Sequence, residues 1–405
     1  MTTAARASRT IGLYLAVVQS FLVLGWVVYA AYLPQLAQRA GIALKWVPWL
    51  LLADQLVFLI TDLWVGVASD RAARVLGRVG RAMVVATLLS TAAFVLLPWV
   101  APQGSPVLFI VVTLIWAITS SALRAPPLTL LGRYVAKPAQ PMLIALSSFG
   151  VGLAGAAAPY VGLQLKGLDP TWPFVISGAA LAAVTLGMAA AERALAQQAA
   201  ATTPAASAAR TAFKPKQALA FVLACALGAA AFQLHSFVAS APLALQFAKP
   251  PDLPWLLPVF WVGFNLALLP AGLAAKRWGA LRTMTVGALM AALGNAAAGM
   301  APSLDTLLAA QALAGAGWAV LLCSAFSGAL ALGQGGREGL MSGALQSTLA
   351  AAALLRIGVV ASTTPPPAVV LQWAWLAALG FALCAALLLW RQHEPAQPRA
   401  ASIER

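Results

Sequence analysis

Stretches of about twenty apolar residues, separated by short polar turns, recur along the whole sequence, and this spacing leaves few folds open. A helix needs ~20 apolar residues to cross a hydrocarbon core, where every backbone N–H and C=O must be satisfied within the segment. Twelve such stretches are present. In the first half they run over 11–33, 46–68, 82–100, 106–131, 141–162 and 173–191. In the second they run over 217–246, 255–274, 283–301, 305–332, 340–363 and 369–390. Apolar residues make up 62% of the 405 and charged residues only 9%. A soluble protein has about a quarter of its residues charged, and so apolar a surface is stable only in lipid. The expected fold is all-α and integral to a membrane.

The formal charge of +15 does not describe a nucleic-acid binder, because the basic residues are not gathered on one module with aromatics between them. They lie in the gaps between apolar stretches. With the N-terminus placed inside, nineteen of the 25 lysines and arginines fall in inside segments and four (Arg39, Lys45, Lys166 and Lys249) outside, while Arg124 and Arg356 fall within spans. This is the bias of the positive-inside rule, and it puts both termini in the cytoplasm, with the bacterial inner (plasma) membrane as the expected location. Tryptophans 46, 49, 99, 172, 255 and 373 fall at outer ends, as an interfacial belt would. The basic start of the chain (Arg6, Arg9) leads into a stretch long enough to remain in the membrane, so no cleaved signal is expected. Cys225, Cys323 and Cys384 are scattered, and His235 and His393 are the two histidines. No metal site or other cofactor is expected.

The longest polar stretch, 192–216, reads as a flexible cytoplasmic linker between an N-terminal six-helix bundle (1–191) and a C-terminal one (217–390), with 391–405 as a cytoplasmic tail. The halves echo each other after their second helices. The first reads Gly66-Val67-Ala68-Ser69-Asp70-Arg71 and then Gly77-Arg78; the second reads Gly272-Leu273-Ala274-Ala275-Lys276-Arg277. This resembles the signature loop of the major facilitator superfamily, Gly-x-x-x-Asp-Arg followed by Gly and basic residues. The resemblance implies two pseudo-symmetric six-helix bundles that rock about a central site. In chemical terms, Gly66 and Gly272 let helices approach closely. Asp70 can pair with an arginine or with the positive end of a neighbouring helix, a contact suited to closing the cytoplasmic side. Arg71, Arg78 and Arg277 complete the gating motif; each also serves as a topology signal.

Asp70 precedes Gly77 by seven residues. That longer loop is similar to the one in the glycoside–pentoside–hexuronide cation symporters. Asp62, four residues before Gly66, stands at the offset of their cation-binding aspartate, and Trp116, Thr119 and Pro126 fall where they have similar residues. Two of their acids are missing here: Phe58 stands one turn before Asp62, and Arg124 stands in helix 4. Sodium coupling is therefore not carried over. The glycine-rich run Gly150, Gly152, Gly155, Pro159 and Gly162 resembles an antiporter motif in degenerate form and is read as helix packing.

Ionisable groups inside a membrane span are costly and point to function. Asp54, Asp62, Arg124 and Arg356 are such groups. Asp62 lies seven residues before Ser69 and Arg124 nine before Arg133. Their depths are therefore similar, at ~1.5 Å of rise per residue, and the expectation is an Asp62–Arg124 pair that changes as substrate or a proton binds. Arg356 has an anionic substrate group, a helix carbonyl or Asp54 as its partner. Further candidate cavity residues are Gln19, Trp26, Tyr29, Gln233, His235, Asn265, Gln311 and Gln346. No Walker Gly-x-x-x-x-Gly-Lys occurs, so ATP hydrolysis is not expected. Two histidines and scattered serines make no catalytic set, and no enzyme is expected. The function expected is secondary transport of a small solute by a monomer, with a proton or another cation as candidate coupling ion. Sugar–cation symport, efflux antiport and a non-transporting sensor are the alternatives.

Overall fold

The computed structural model describes residues 3–75, 79–202, 214–362 and 368–392, and every regular element among them is helical. Eleven helices are long and apolar enough to cross a membrane. In chain order they are span 1 (Arg9–Arg39), span 2 (Leu44–Ala72), span 3 (Val79–Gln103), span 4 (Pro106–Tyr134), span 5 (Lys137–Gln164) and span 6 (Thr171–Ala199). The second half holds span 7 (Pro215–Ala244), span 8 (Pro250–Trp278), span 10 (Leu304–Leu332), span 11 (Glu338–Ala361) and span 12 (Trp373–Arg391). Span 9 (Ala280–Gly299) has 20 residues and at 1.5 Å per residue covers about 30 Å, the thickness of a hydrocarbon core. It is rich in Gly, Ala and Thr and packs between spans 10 and 12, so small residues serve it better than bulky apolar ones.

The packing repeats at an offset of six helices. Contacts 1·5, 2·4, 3·4, 3·6 and 1·6 in the first half have the counterparts 7·11, 8·10, 9·10, 9·12 and 7·12 in the second. The halves meet along two seams, span 2 against span 11 and span 5 against span 8, which exchange under the same offset. The chain is therefore two pseudo-symmetric six-helix bundles. Small residues permit the closest crossings: a Cβ at Gly263 would strike the Ala312 carbonyl, and one at Gly315 the Phe260 carbonyl, so spans 8 and 10 touch through their backbones.

The outer surface is apolar. Trp64 is 73% exposed, Val107 72% and Leu266 74%, which suits lipid and not water. The six expected belt tryptophans are all exposed. They sit at the end of the bundle opposite Arg71, Arg81, Arg133, Lys137, Arg193, Lys276, Arg277 and Arg337. That second end, which both the first and last helices approach, is called the basic end below.

The linker begins as helix, one of the two states its composition favours: an α-helix runs Met188–Thr202, because its Ala- and Gln-rich sequence has high helix propensity. Some boundaries differ from expectation. Span 7 stops at Ala244 instead of 246, and span 9 at Gly299 instead of 301. Span 7 also contains a π-turn, His235–Ala239, just before Pro242. Pro242 cannot donate to the Val238 carbonyl, and the widened turn takes up the mismatch.

Gly315→Val should force spans 8 and 10 apart and destabilise the second bundle by roughly 1–3 kcal/mol, the usual range for overpacking. Thermal melts of the purified protein in detergent should show a lower midpoint than for Gly380→Ala, where no atom lies within 4 Å of a new Cβ.

Candidate functional site

The site starts from two prolines. Pro126 and Pro127 have no N–H, so span 4 cannot run unbroken. Its helix Pro106–Ser120 gives way to a 3-10 turn at Ser121–Leu123 and restarts at Pro126–Tyr134. The freed carbonyls need donors from elsewhere. Pro127 would have served the Leu123 carbonyl; Gln19 Nε2 of span 1 donates to it instead at 3.1 Å. Leu128 N–H turns to the Ala125 carbonyl, and Gln346 Nε2 of span 11 donates to the vacated Arg124 carbonyl at 3.2 Å. The break thus draws spans 1 and 11, one from each half, onto span 4.

The same break presents the Arg124 side chain to span 2. Its Nε lies 3.0 Å from Asp62 Oδ2, so the expected pair is formed. The alignment is not that of a hydrogen bond, and charge holds the two groups together. Asp62 is 0% exposed and Arg124 19%. The guanidinium also lies 4.4 Å from the centre of the Phe58 ring, a cation–π contact. Phe58 and Arg124 occupy the two positions where the cation-symporter resemblance would require acids. A stacked guanidinium fills that space, and the residues do not form a sodium-ligand set.

Arg124 opens onto a cavity of about 360 Å³ between the halves. Its polar lining is Gln19 and Gln55 from the first two spans, Ser147 and Ser148 from span 5, Gln233 from span 7 and Gln346 from span 11. Leu22, Trp26, Leu128, Leu131, Phe326 and Leu349 supply an apolar wall. Gln55, Ser147 and Ser148 were not singled out in the sequence. The signal available was a polar residue inside an apolar stretch, which many helix-packing residues share.

The remaining candidates are not brought together there. Asp54 is buried and accepts a 2.7 Å hydrogen bond from Tyr29 Oη, behind a ring cluster of Trp26, Tyr29, Phe58 and Trp116. Asp54 is thus not the partner of Arg356. Arg356 Nε donates to Gln233 Oε1 at 2.9 Å, and the guanidinium lies 4.7 Å from the Phe237 ring centre. Arg356 stands behind Gln233 and does not itself line the cavity. His235 lies within the second bundle, its Nε2 2.8 Å from Gln311 Oε1, because its position on span 7 faces span 10 and not the other half. Asn265 sits on the 5·8 seam. Its Nδ2 donates to the Trp261 carbonyl at 2.8 Å, and a Cβ at Gly152 would strike it.

At the basic end the halves are tied together. Asp70 Oδ1 accepts from Gly339 N–H at 2.7 Å and Oδ2 from Leu340 N–H at 2.8 Å. The carboxylate therefore caps the positive end of span 11 across the seam. The approach requires glycine, because a Cβ at Gly66 would strike the Gly339 carbonyl and one at Gly343 would meet the Asp62 carbonyl. Gly272 has the matching place on the 5·8 seam, where a Cβ would lie 3.1 Å from the Ala145 Cβ, but Lys276 replaces the acid there. Only one of the two seams has this acidic tie. Arg71 and Arg277 are exposed, and Gly77 and Arg78 lie outside the described residues. A second carboxylate, Glu192, accepts from Val79 N–H at 2.9 Å and Gly80 N–H at 2.7 Å, pinning the end of span 6 to the start of span 3. Sequence reading assigned Glu192 to the linker; only its neighbours in space reveal the cap.

Solved structures of similar shape are membrane transporters. The chain is similar to the human organic anion transporter MFSD10 (TETRAN), with TM-score 0.70, 16% identity, and coverage of 96% of this chain and 100% of that one. It is also similar to a bacterial homologue of the iron transporter ferroportin in its outward-facing state, with TM-score 0.72, 14% identity, and coverage of 94% and 98%. The same homologue soaked with iron gives TM-score 0.69 and 12% identity, at coverage of 94% and 98%. No family profile matches the sequence, and no curated protein matches it. The chain has the major facilitator fold.

Removing one member of the Asp62–Arg124 pair should destabilise the protein far more than removing both charges. Arg124→Gln leaves a buried carboxylate uncompensated, at a cost of roughly 3–5 kcal/mol. Arg124→Gln with Asp62→Asn should recover most of that loss. Thermal midpoints of the wild type, the two single variants and the double variant measure this coupling. Additive effects would show that the pair contributes nothing.

Proposed function

We propose that the protein is a secondary transporter that carries a small solute through the central cavity by alternating access, with Asp62 and Arg124 as its charged centre. The observation that carries this reading is the placement of a cavity with polar groups on an apolar wall, one of them the Arg124 cation, between two pseudo-symmetric halves. At the basic end the halves are tied by a polar contact, Asp70 on the span 11 N-terminus. A merely structural bundle has no need of such a hollow at its centre. The three solved structures named above support the same reading, since each is of a transporter or a transporter homologue. Their named cargoes, an organic anion and iron, differ from each other and fix none here.

The basic end faces the cytoplasm in this reading, with both termini there, as the bias of lysine and arginine requires. The protein then sits in a bacterial inner membrane with the Asp70 contact on its cytoplasmic side. Glycoside–cation symport is disfavoured by Phe58 and Arg124, whose contact occupies the place of two cation ligands.

Alternating access is tested at the seal. Asp70→Asn keeps the shape but gives up an ionised acceptor, and hydrogen bonds to charged groups contribute roughly 1.5–3 kcal/mol each. The basic end should open more often. Thr129, whose Oγ1 lies 3.2 Å from Ser69 Oγ inside the seal, reports the opening. In a background with the native cysteines replaced, Thr129→Cys should react several-fold faster with an impermeant maleimide when Asp70→Asn is present. Solute counterflow in proteoliposomes should slow in parallel. Unchanged labelling and unchanged counterflow would remove Asp70 from the gate.

A further inference from the structure

The cavity sees one half of an ion pair. Arg124 is partly exposed to it, whereas Asp62 behind is fully buried. Among the described lining residues Arg124 is the one with an ionisable side chain; the other polar groups are neutral amides and hydroxyls. A solute in this cavity therefore meets a cation, four glutamines and an apolar wall. Carboxylate, imidazole and thiolate groups, which a metal cation would require, are not part of that lining.

The pair is also open to exchange. Neither Asp62 oxygen has a well-aligned hydrogen bond, and neither does Arg124 Nε. The guanidinium beside the carboxylate is its ion-pair partner. Other titratable groups around it are engaged elsewhere or distant. Tyr29 on span 1 and Asp54 on span 2 are bonded to each other. Arg356 on span 11 is bonded to Gln233, Asp70 to the start of span 11, and Arg81 on span 3 is exposed at the basic end.

We propose that the solute is a small organic anion with an apolar body, that its anionic group replaces Asp62 on Arg124, and that the released Asp62 takes up one proton, so that anion and proton cross together. This rests on the transport reading and names its substrate class. The charges balance at every stage. Before binding, Asp62 and Arg124 sum to zero. After it, neutral Asp62, Arg124 and the anion again sum to zero. Without the proton the buried centre would hold one uncompensated negative charge, which a low-dielectric site resists. One proton moves from the cavity water to an Asp62 oxygen, and no covalent bond other than that O–H forms. A cavity of about 360 Å³ lies at the small end of the range for organic ligands.

The test uses purified full-length protein and a defined panel: benzoate, octanoate and hexanesulfonate as anions, benzamide as the neutral isostere of benzoate, benzylamine as the cation, and a neutral disaccharide. Binding is followed by Trp fluorescence, since Trp26 lines the cavity, and by proton uptake in weakly buffered solution. At least one anion should bind in preference to benzamide and benzylamine, taking up about one proton per anion. Its affinity should fall about tenfold per pH unit while Asp62 is ionised in the free protein. Binding consumes a proton, so raising the pH weakens it. Asp62→Asn, which mimics the protonated acid, should bind the anion at least about tenfold more tightly than wild type at pH 8, with no proton uptake and little pH dependence. Arg124→Gln should lose anion binding; Arg124→Lys, which keeps the charge, should retain part of it.

In proteoliposomes, uptake of the bound anion should follow an inward proton gradient and ignore a potassium-diffusion potential. Preference for a neutral or cationic member overturns the proposal, as does anion binding by wild type without proton uptake. So does failure of every anion to bind Asp62→Asn, whose Arg124 has lost its counter-ion. Disaccharide flux unaffected by Arg124→Gln would leave the transport reading standing and sink the anion. Anion binding with proton uptake but no flux of any solute would leave the exchange at Arg124 standing and sink transport.

Discussion

In hydrocarbon a backbone N–H or C=O without a partner costs several kcal/mol, and nearly every feature of this protein is a way of meeting that demand. Continuous helices meet it internally. Span 4 cannot, because Pro126 and Pro127 break its ladder, and surrounding helices supply donors to two of the carbonyls at the break. Gln19 from span 1 and Gln346 from span 11 reach the orphaned carbonyls of Leu123 and Arg124. These bonds join elements of both halves at one depth, and that depth is where the cavity and the Asp62–Arg124 pair lie. The local failure of the helix and the position of the site have one cause.

The same demand governs the seal at the basic end. The first N–H groups of span 11 have no partner within their own helix. Asp70 supplies both oxygens from the opposite half, so closing the seam and completing the helix are one event. Such a contact is strong while dry and replaceable by water when the halves part, which suits a gate better than interlocked apolar side chains would. The other seam, with Lys276 in the equivalent place, depends on packing: Gly272 meets Ala145, and Gly152 and Gly155 receive the Asn265 and Trp261 side chains. The repeat conserves shape between the halves and leaves the charge to one of them.

The buried ionisable groups divide by exposure. Asp54 with Tyr29, and His235 with Gln311, are enclosed within single bundles and fasten helices of the same half. Asp62 with Arg124 lies in the first bundle too, but its cation reaches the cavity. Arg356 is one step removed, tied to Gln233, whose side chain lines the hollow. Of these ionisable groups, Arg124 is the one that lines the cavity.

The amino-acid sequence determined the solvent, the helical class and the doubling of the fold, and it singled out Gly66 and Asp70 but not their partners on span 11, because these follow from quantities that add along the chain: apolar length, basic residues between stretches, and the spacing from Gly66 to Asp70. It also indicated that Asp62 and Arg124 share a depth, since rise per residue is fixed in a helix. It did not decide which face each polar residue turns to, and so could not separate Gln55 and Gln233, which line the cavity, from His235 and Asn265, which do not. Nor could it show Glu192 as a cap, or Gln233 in place of Asp54 as the partner of Arg356. Those outcomes depend on the rotation of each helix about its axis and on neighbours more than a hundred residues away, which only the packed bundle sets.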